Sequence, residues 1–307
     1  MAKNINYNTA VTGKKGFSLS LRNNLIGYSF IVPNFIGFLI FGLIPIGFSM
    51  FLSFAKWDGF TVIRFNGINN FISIMRDSVF IGSLGRTFIY TVSCVLFTTF
   101  ASLGLAVLLN RQFKARGFFR SAIFFPHVAS IVSIAVVWRL LYMPDIGPIN
   151  AFLRFIGIAN PPGWLSTVRY ALPGVIIVAI WKSMGYYMII YLAALQGIPR
   201  ELKEAASIDG ATDIQYFWRI AVPHLSPATF FVVLMLTIGS FKSFDIIFAL
   251  TEGGPGTATT LISNYIYDKA FIAFNYGHTS AAAMVLFIIV ASLTFFQFRL
   301  EKKFSLN

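Results

Sequence analysis

Acidic residues are scarce in this chain: 11 of its 307 residues are Asp or Glu, against 24 Lys and Arg. Charged residues of both signs make up only 11% of the chain, well short of what a soluble domain carries. Cysteine occurs once, as Cys94 inside an apolar run, so no intrachain disulfide can form. The three histidines, His127, His224 and His278, lie far apart with no ligand spacing around them, which excludes a metal centre built on histidine. No nucleophile–base pairing stands out, which argues against a membrane enzyme. No G-x-x-x-x-G-K-[ST] loop is present, so the chain has no means of hydrolysing ATP by itself. Low-complexity tracts, a soluble domain and convincing internal repeats are also missing.

What the chain does have is apolar length. Hydrophobic residues make up 57% of it, and the mean hydropathy is +0.74. These values mark an integral membrane protein. The net charge of +13 is not a nucleic-acid signature, because the Lys and Arg residues sit at the ends of apolar runs and not in a patch interleaved with aromatics. The first run, from Asn23 to Ala55, is uncharged and longer than the core of a cleavable signal, so it reads as a retained span.

A spanning helix needs about 20 largely apolar residues. Six stretches qualify: Leu25–Phe54, interrupted by Pro33 and Pro45 and so tilted or kinked; Thr87–Asn110; Phe118–Tyr142; Tyr170–Leu195; His224–Thr251; and Phe271–Phe298. The fold class is therefore an all-α integral membrane protein with six transmembrane helices. Residues 25–299 form the membrane domain, and 1–24 and 300–307 are tails.

Loop charge sets the orientation. With the N-terminus inside, the inner segments hold Lys3, Lys14, Lys15, Arg22, Arg111, Lys114, Arg116, Arg120, Arg200, Lys203, Arg219, Arg299, Lys302 and Lys303. The outer loops hold Lys56, Arg64, Arg76, Arg86, Arg154, Arg169 and Lys269. Fourteen against seven places both termini in the cytoplasm. Turn chemistry marks the outer loops at Asp58-Gly59, Pro161-Pro162-Gly163 and Gly253-Gly254-Pro255-Gly256.

Several polar residues fall inside the apolar runs. A central Lys costs about 2.5–3.5 kcal/mol on insertion scales, so such residues face a pathway or a partner. Lys182 lies in the fourth run; Lys242 and Asp245 lie in the fifth at i, i+3 and so share a face. Two readings stand open: a polar translocation cavity offering Lys182 or Asp245 to a hydrophilic solute, or a structural ion pair of Asp245 with Lys182 or Lys242. Beside them stand Trp181, Ser183 and Tyr186 in the fourth run and Ser240, Ser243 and Phe244 in the fifth. Aromatic platforms next to hydroxyls suit a sugar, which has apolar C–H faces and a rim of hydroxyls.

The longest polar interruption in the second half is Glu204 to Pro223, with Glu201 just before it. Its grammar is helix, turn, helix. Pro199 opens the first helix. Asp209-Gly210 makes the turn, Gly being free to take positive φ. Thr212 caps the second helix, with Asp213 in its first turn, and Pro223 is placed to stop it. The spacing Glu204-Ala205-Ala206, Asp209-Gly210-Ala211, Ile220, Pro223 resembles the EAA loop of permeases in binding-protein-dependent ABC importers. Val222 departs from the usual Leu, a mild change. The resemblance runs along about Leu25 to Phe298 and is to the maltose-type carbohydrate permeases of bacteria.

That resemblance implies a type I importer permease fold with the loop as a cytoplasmic coupling element. Glu204 would then take a charge-assisted bond from a basic residue of an ATPase, Ala205 and Ala206 would allow close approach, and Asp209, Gly210 and Pro223 would shape the loop. It also implies partners: a second, similar permease forming a heterodimer, two ATP-binding subunits that hold ATP and Mg, and an extracellular solute-binding protein. The chain itself would carry no cofactor and sit in the bacterial inner membrane. Residues of the two spans flanking the loop would line a sugar site; carried over by position, these are Ser183, Tyr186, Ser240, Ser243 and Phe244. A non-sugar solute such as glycerol phosphate, or an ion-coupled transporter using Lys182 and Asp245 as a relay, are the alternatives.

Overall fold

The structure, a computed structural model, describes residues 17–305. Lys3, Lys14 and Lys15 of the charge count lie outside the described residues. The chain divides into two units, one ending at Phe51 and one beginning at Leu52.

The first unit is a single helical run. It is built from α1 (Phe17–Phe38), a π-helical turn (Leu39–Leu43) and most of α2 (Ile44–Ser53). It begins inside the stretch expected to be a tail. Neither Pro33 nor Pro45 ends it. The wider π turn just ahead of Pro45 rearranges the carbonyls that the proline ring would otherwise meet. Side chains such as Phe30 and Phe41 are exposed, which suits a helix whose solvent is lipid.

The second unit opens with a two-stranded antiparallel ribbon, β1 (Ala55–Lys56) and β2 (Arg64–Phe65), pairing Ala55 with Phe65 and Lys56 with Arg64. The expected all-α class thus needs one small correction. Asp58 makes the ribbon's turn: its Oδ1 accepts from Phe60 N (3.0 Å), Thr61 N (2.8 Å) and Thr61 Oγ1 (2.7 Å). The Thr61 and Phe60 bonds bring its pKa down to about 2.

Helices follow: α3 (Asn69–Arg76), α4 (Ser78–Asn110), α5 (Arg116–Val128), α6 (Ile131–Leu141), α7 (Pro148–Phe155) and α8 (Val168–Gln196). Then come α9 (Arg200–Ile208), α10 (Asp213–Tyr216), a π turn (Phe217–Ala221), α11 (Val222–His224) and α12 (Ser226–Phe241). The chain ends with α13 (Asp245–Leu250), α14 (Ile262–Tyr267), a π turn (Asp268–Ile272) and α15 (Tyr276–Ser305). Among the described residues, four helices are long and apolar enough to cross a membrane; two bent pairs make six if each counts as one span.

Three of the six expected spans are interrupted; Phe271–Phe298 breaks at 273–275, where Phe274 takes φ +51°, and its helix α15 begins only at Tyr276. The stretch Phe118–Tyr142 breaks at Ala129–Ser130 into α5 and α6, bent by 101°. Pro126 removes one hydrogen bond from the last turn of α5, and Ala129 leaves the helix in an extended conformation (ψ 146°). The stretch His224–Thr251 breaks at Lys242–Phe244, between α12 and α13. Lys242 and Asp245 therefore do not share a helix face, and the i, i+3 expectation fails. Pro223 does not stop its helix either. The π turn at Phe217–Ala221 absorbs it, and the chain turns by 64° only after His224.

Three apolar clusters hold the unit together. One joins α4, α6, α8 and α13 through Tyr90, Ile134, Val175, Val178 and Ile247. A second joins α4, α8 and α12 through Ala106, Met188, Tyr191 and Val232. The third joins α3, α4, α14 and α15 through Ile74, Phe80, Ile262 and Ala281. Small residues at the crossings let helices approach closely, as is usual where lipid supplies no hydrophobic drive between helices.

At the third cluster, Asp77 caps α4, accepting from Val79 N (2.9 Å) and Phe80 N (3.4 Å). Its other oxygen accepts from Tyr265 OH at 2.8 Å and pairs with Lys269 Nζ at 3.2 Å. Burial pushes the Asp77 pKa up, but the bonds from Tyr265, Val79 and Lys269 outweigh it and hold it below the ordinary 3.8. A depressed carboxylate adds stability that is fully present above its unfolded pKa and is lost as pH falls through the folded one. Asp77→Asn is expected to cost about 1–3 kcal/mol at neutral pH. Its deficit against wild type should shrink only when pH drops below the ordinary aspartate range. Thermal unfolding of the two proteins across pH checks this; a deficit that stays constant into acid would refute it.

Candidate functional site

Two places combine polar chemistry with a specific geometry. The first is a cavity of about 200 Å³ bordered by α4, α6, α8, α12 and the break before α13, and open on one side. α4 contributes Tyr90, Cys94 and Thr98, which fall at i, i+4 and i+8 and so share a face. α8 contributes Lys182, Ser183 and Tyr187. Ser240, Ser243 and Asp245 come from the end of α12, the break and the start of α13. The break is what exposes polar atoms here, and irregular backbone at membrane depth is tolerated where it lines a cavity. Asp245 occupies the freed helix start, its Oδ1 accepting from Ile246 N at 2.9 Å.

The cavity wall is only partly self-satisfied. Tyr90 OH and Ser243 Oγ lie 3.2 Å apart and share a hydrogen bond. Lys182 Nζ donates to the His127 carbonyl at 3.3 Å. The Thr98 hydroxyl is buried without a hydrogen-bond partner among the described residues. Lys182, Lys242 and Asp245 form no ion pair with one another there. An ammonium, a carboxylate and several hydroxyls thus line one space, each with bonding capacity left for a solute.

Five of the eight residues expected along the pathway line this cavity: Lys182, Ser183, Ser240, Ser243 and Asp245. Trp181, Tyr186 and Phe244 do not. Trp181 packs edge-on against Trp138 at 5.3 Å. Tyr186 stacks on the His127 ring at 4.5 Å. Phe244 stacks on Phe248 at 5.3 Å and leans on Tyr267 at 4.9 Å. The expectation passed over Tyr90, Cys94 and Thr98 because it considered only the spans beside the Glu204 loop. Their signal was present, since a stripe of polar groups at helical spacing in an apolar run marks an inward face.

The second place is the hairpin of α9 and α10. α9 ends in a Schellman motif, with Gly210 at φ +76°, Gly210 N donating to Ser207 O (3.2 Å) and Ala211 N to Ala206 O (2.9 Å). α10 begins in a capping box: Gln215 N donates to Thr212 Oγ1 and Thr212 N to Gln215 Oε1. Lys203 and Asp213 tie the two helices at 3.8 Å, a weak contact because both are exposed. Helices this short are marginal alone, so these caps define their ends.

Ala206 is buried, whereas Glu204, Ala205, Asp209, Gly210 and Pro223 are exposed. Glu204 makes no ion pair among the described residues. The hairpin also presents Ile208, Ile214 and Trp218, Ile208 being 87% exposed. A rigid polar knuckle with an exposed apolar tip and an unpaired carboxylate has the chemistry of a docking element.

Residues 98–306 match the family described as binding-protein-dependent transport system inner membrane component. The chain belongs to that family. This permease is 38% identical over 296 residues to the probable ABC transporter permease protein YesP of Bacillus subtilis, covering 95% of each chain. It is 33% identical over 286 residues to the multiple sugar-binding transport system permease protein MsmF of Streptococcus mutans, covering 92% of this chain and 97% of that one. Its fold matches a chain in the crystal structure of a bacterial ABC transporter involved in import of the acidic polysaccharide alginate. There the TM-score is 0.82 at 25% identity, over 94% of this chain and 99% of that one. The permease is thus a transport component and not an enzyme, and the ion-coupled reading falls away.

Proposed function

We propose that this permease forms, with a second permease, the membrane pathway for a sugar delivered by an extracellular solute-binding protein, and that two ATP-binding subunits drive it through the α9–α10 hairpin. In this reading the chain crosses the inner membrane six times with both termini cytoplasmic, and the hairpin lies on the cytoplasmic side. ATP and Mg belong to the partner subunits.

The observation that carries the solute class is the cavity. Tyr90, Thr98, Ser183, Tyr187, Ser240 and Ser243 set hydroxyls around it, the chemistry that exchanges hydrogen bonds with a polyol. The named role of MsmF and the alginate importer's fold support a carbohydrate. At about 200 Å³ the cavity takes roughly one sugar ring, so a longer chain would extend toward the second permease.

Lys182 favours a second reading, in which the solute carries an anionic group such as a phosphate ester. Its ammonium has three donors and one long bond to the His127 carbonyl.

Ser243→Leu tests the cavity. It removes the Tyr90 partner and fills the space. Transport in proteoliposomes should fall about tenfold or more, as expected when a buried polar contact is lost, while basal ATPase of the complex persists. Loss of assembly instead would show that Ser243 is a packing residue. A panel of radiolabelled neutral sugars, uronic acids and glycerol phosphate offered to the partner solute-binding protein decides between the two solute classes.

A further inference from the structure

Lys242 is a cation that the cavity does not use. Ser240, Ser243 and Asp245, on either side of it, line the cavity, and Lys242 does not. It stands exposed at the break between α12 and α13. Its backbone N–H closes α12, donating to Ile238 O at 3.3 Å, but its ammonium has no ion pair among the described residues. The carbonyl end of α12 favours a cation there without supplying a counter-charge.

The break lies at mid-depth. The cavity it borders is also lined by Cys94 and Lys182, the central residues of α4 (Ser78–Asn110) and α8 (Val168–Gln196). Both helices are long and apolar enough to cross the membrane. An unpaired ammonium facing lipid at that depth is among the costliest placements a side chain can have.

The chain's own acids do not meet it. Its 11 acidic residues begin at Asp58, so the first unit, which ends at Phe51, supplies none. In the second unit Asp245 lines the cavity and accepts from Ile246 N. Asp77 pairs with Lys269, and Glu252 pairs with Arg139. The counter-charge of Lys242 therefore comes from outside the chain.

The surface around it says what brings that charge. Phe231, Met235 and Gly239 fall at i, i+4 and i+8 along α12, all three exposed, and Lys242 follows three residues on. Phe and Met are at home against lipid, but a cation closing the same stripe is not. Gly239 has open space where a Cβ would stand, which lets another helix approach closely. Gly239 also lines the cavity, so a chain seated on the stripe borders the cavity as well.

We propose that this stripe of α12 seats the second permease, and that a carboxylate of that subunit pairs with Lys242 in mid-membrane. The inference rests on the reading that two permeases share the pathway. The pair fixes the register of the two subunits, which apolar packing alone would leave free to slide. Lys182 and Asp245 stay available to the solute.

The test uses the assembled complex with a tag on the second permease. Truncating one partner of a buried charge pair acts on dissociation, so the second permease should leave the Lys242→Met complex about 30-fold faster than wild type, or more. Lys242→Arg, which keeps the charge, should hold close to wild type. A photo-crosslinking amino acid in place of Met235, with Lys242 intact, should bond to the second permease and mark the facing segment. That segment should hold an Asp or Glu whose change to Lys restores assembly to Lys242→Glu. Because the crosslink is read with Lys242 in place, it decides even where the Met variant fails to assemble.

Wild-type dissociation from Lys242→Met overturns the proposal, as does a crosslink to lipid alone while the second permease still co-purifies; both leave the two-permease reading standing. A crosslink to a second copy of this chain, with no other permease in the complex, overturns the two together.

Discussion

Gly185→Val is expected to abolish assembly of the permease. Gly185 lies where α8 crosses α5, and a Cβ built there would sit 2.0 Å from the Ile123 carbonyl oxygen and 2.9 Å from Phe124 Cα. Both are backbone atoms, so no rotamer change relieves the contact and the helices must separate. Overpacking in a dense core costs about 1–3 kcal/mol when side chains can adjust; here they cannot, so the cost should exceed that range. The damage would spread to the cavity, because α5 carries the His127 carbonyl that Lys182 donates to and α8 carries Lys182 and Ser183. The yield of monodisperse complex and its thermal midpoint measure this. Gly185→Ala is the graded control, expected to assemble poorly but detectably. A Val variant with wild-type yield would mean that the two helices lie farther apart than the structure places them.

Gly210→Pro is expected to leave the protein inserted and uncouple it. Gly210 sits at φ +76°, a region closed to proline, whose ring fixes φ near −65°. Proline also deletes the N–H that Gly210 donates to Ser207 O, one of the two bonds of the Schellman motif. The motif sets the angle between α9 and α10, and with it the placing of Glu204 and of the exposed Ile208, Ile214 and Trp218. None of these residues belongs to the three apolar clusters, so the transmembrane packing should survive. If the hairpin carries force from the ATPase, a coupling energy of about 1–3 kcal/mol is at stake, a fall of about 5- to 150-fold in solute-stimulated ATPase. Glu204→Arg, which reverses the unpaired charge without touching the turn, should fall in the same direction. Stimulated ATPase equal to wild type in both variants would remove the hairpin from the coupling path.

The coupling segment could be read from residue order because its determinants are local. Thr212 caps α10 from the residue before it, and Gly210 turns the chain within two residues of the end of α9. Such signals act over three or four positions. The helix breaks were less legible. Pro126 and the polar residues Ser240, Lys242, Ser243 and Asp245 lie at or beside two of the breaks, yet Pro33 and Pro45, expected to tilt or kink their run, lie in one that stays helical. A proline or a polar residue weakens a helix by a modest amount, and the surrounding packing decides whether the chain breaks there or absorbs the defect in a π turn.

The cavity shows the same division. Lys182, Ser183, Ser240, Ser243 and Asp245 stood out because polar groups are costly in an apolar run. Trp181, Tyr186 and Phe244 stood out equally, but they point to His127, Trp138, Phe248 and Tyr267. An aromatic ring is stable both beside a solute and in a packed cluster, so its type does not reveal which it faces.

The order of residues alone determined that this is a membrane protein, where its apolar runs lie and what chemistry its polar hairpin carries, because hydropathy, capping and turn formation depend on near neighbours along the chain. Tertiary structure alone decided that Tyr90 meets Ser243, that α5 lies against Gly185 and that Lys182 and Asp245 share a cavity without pairing. Those contacts join positions scores of residues apart, and only the packing of one helix on another brings them within bonding distance.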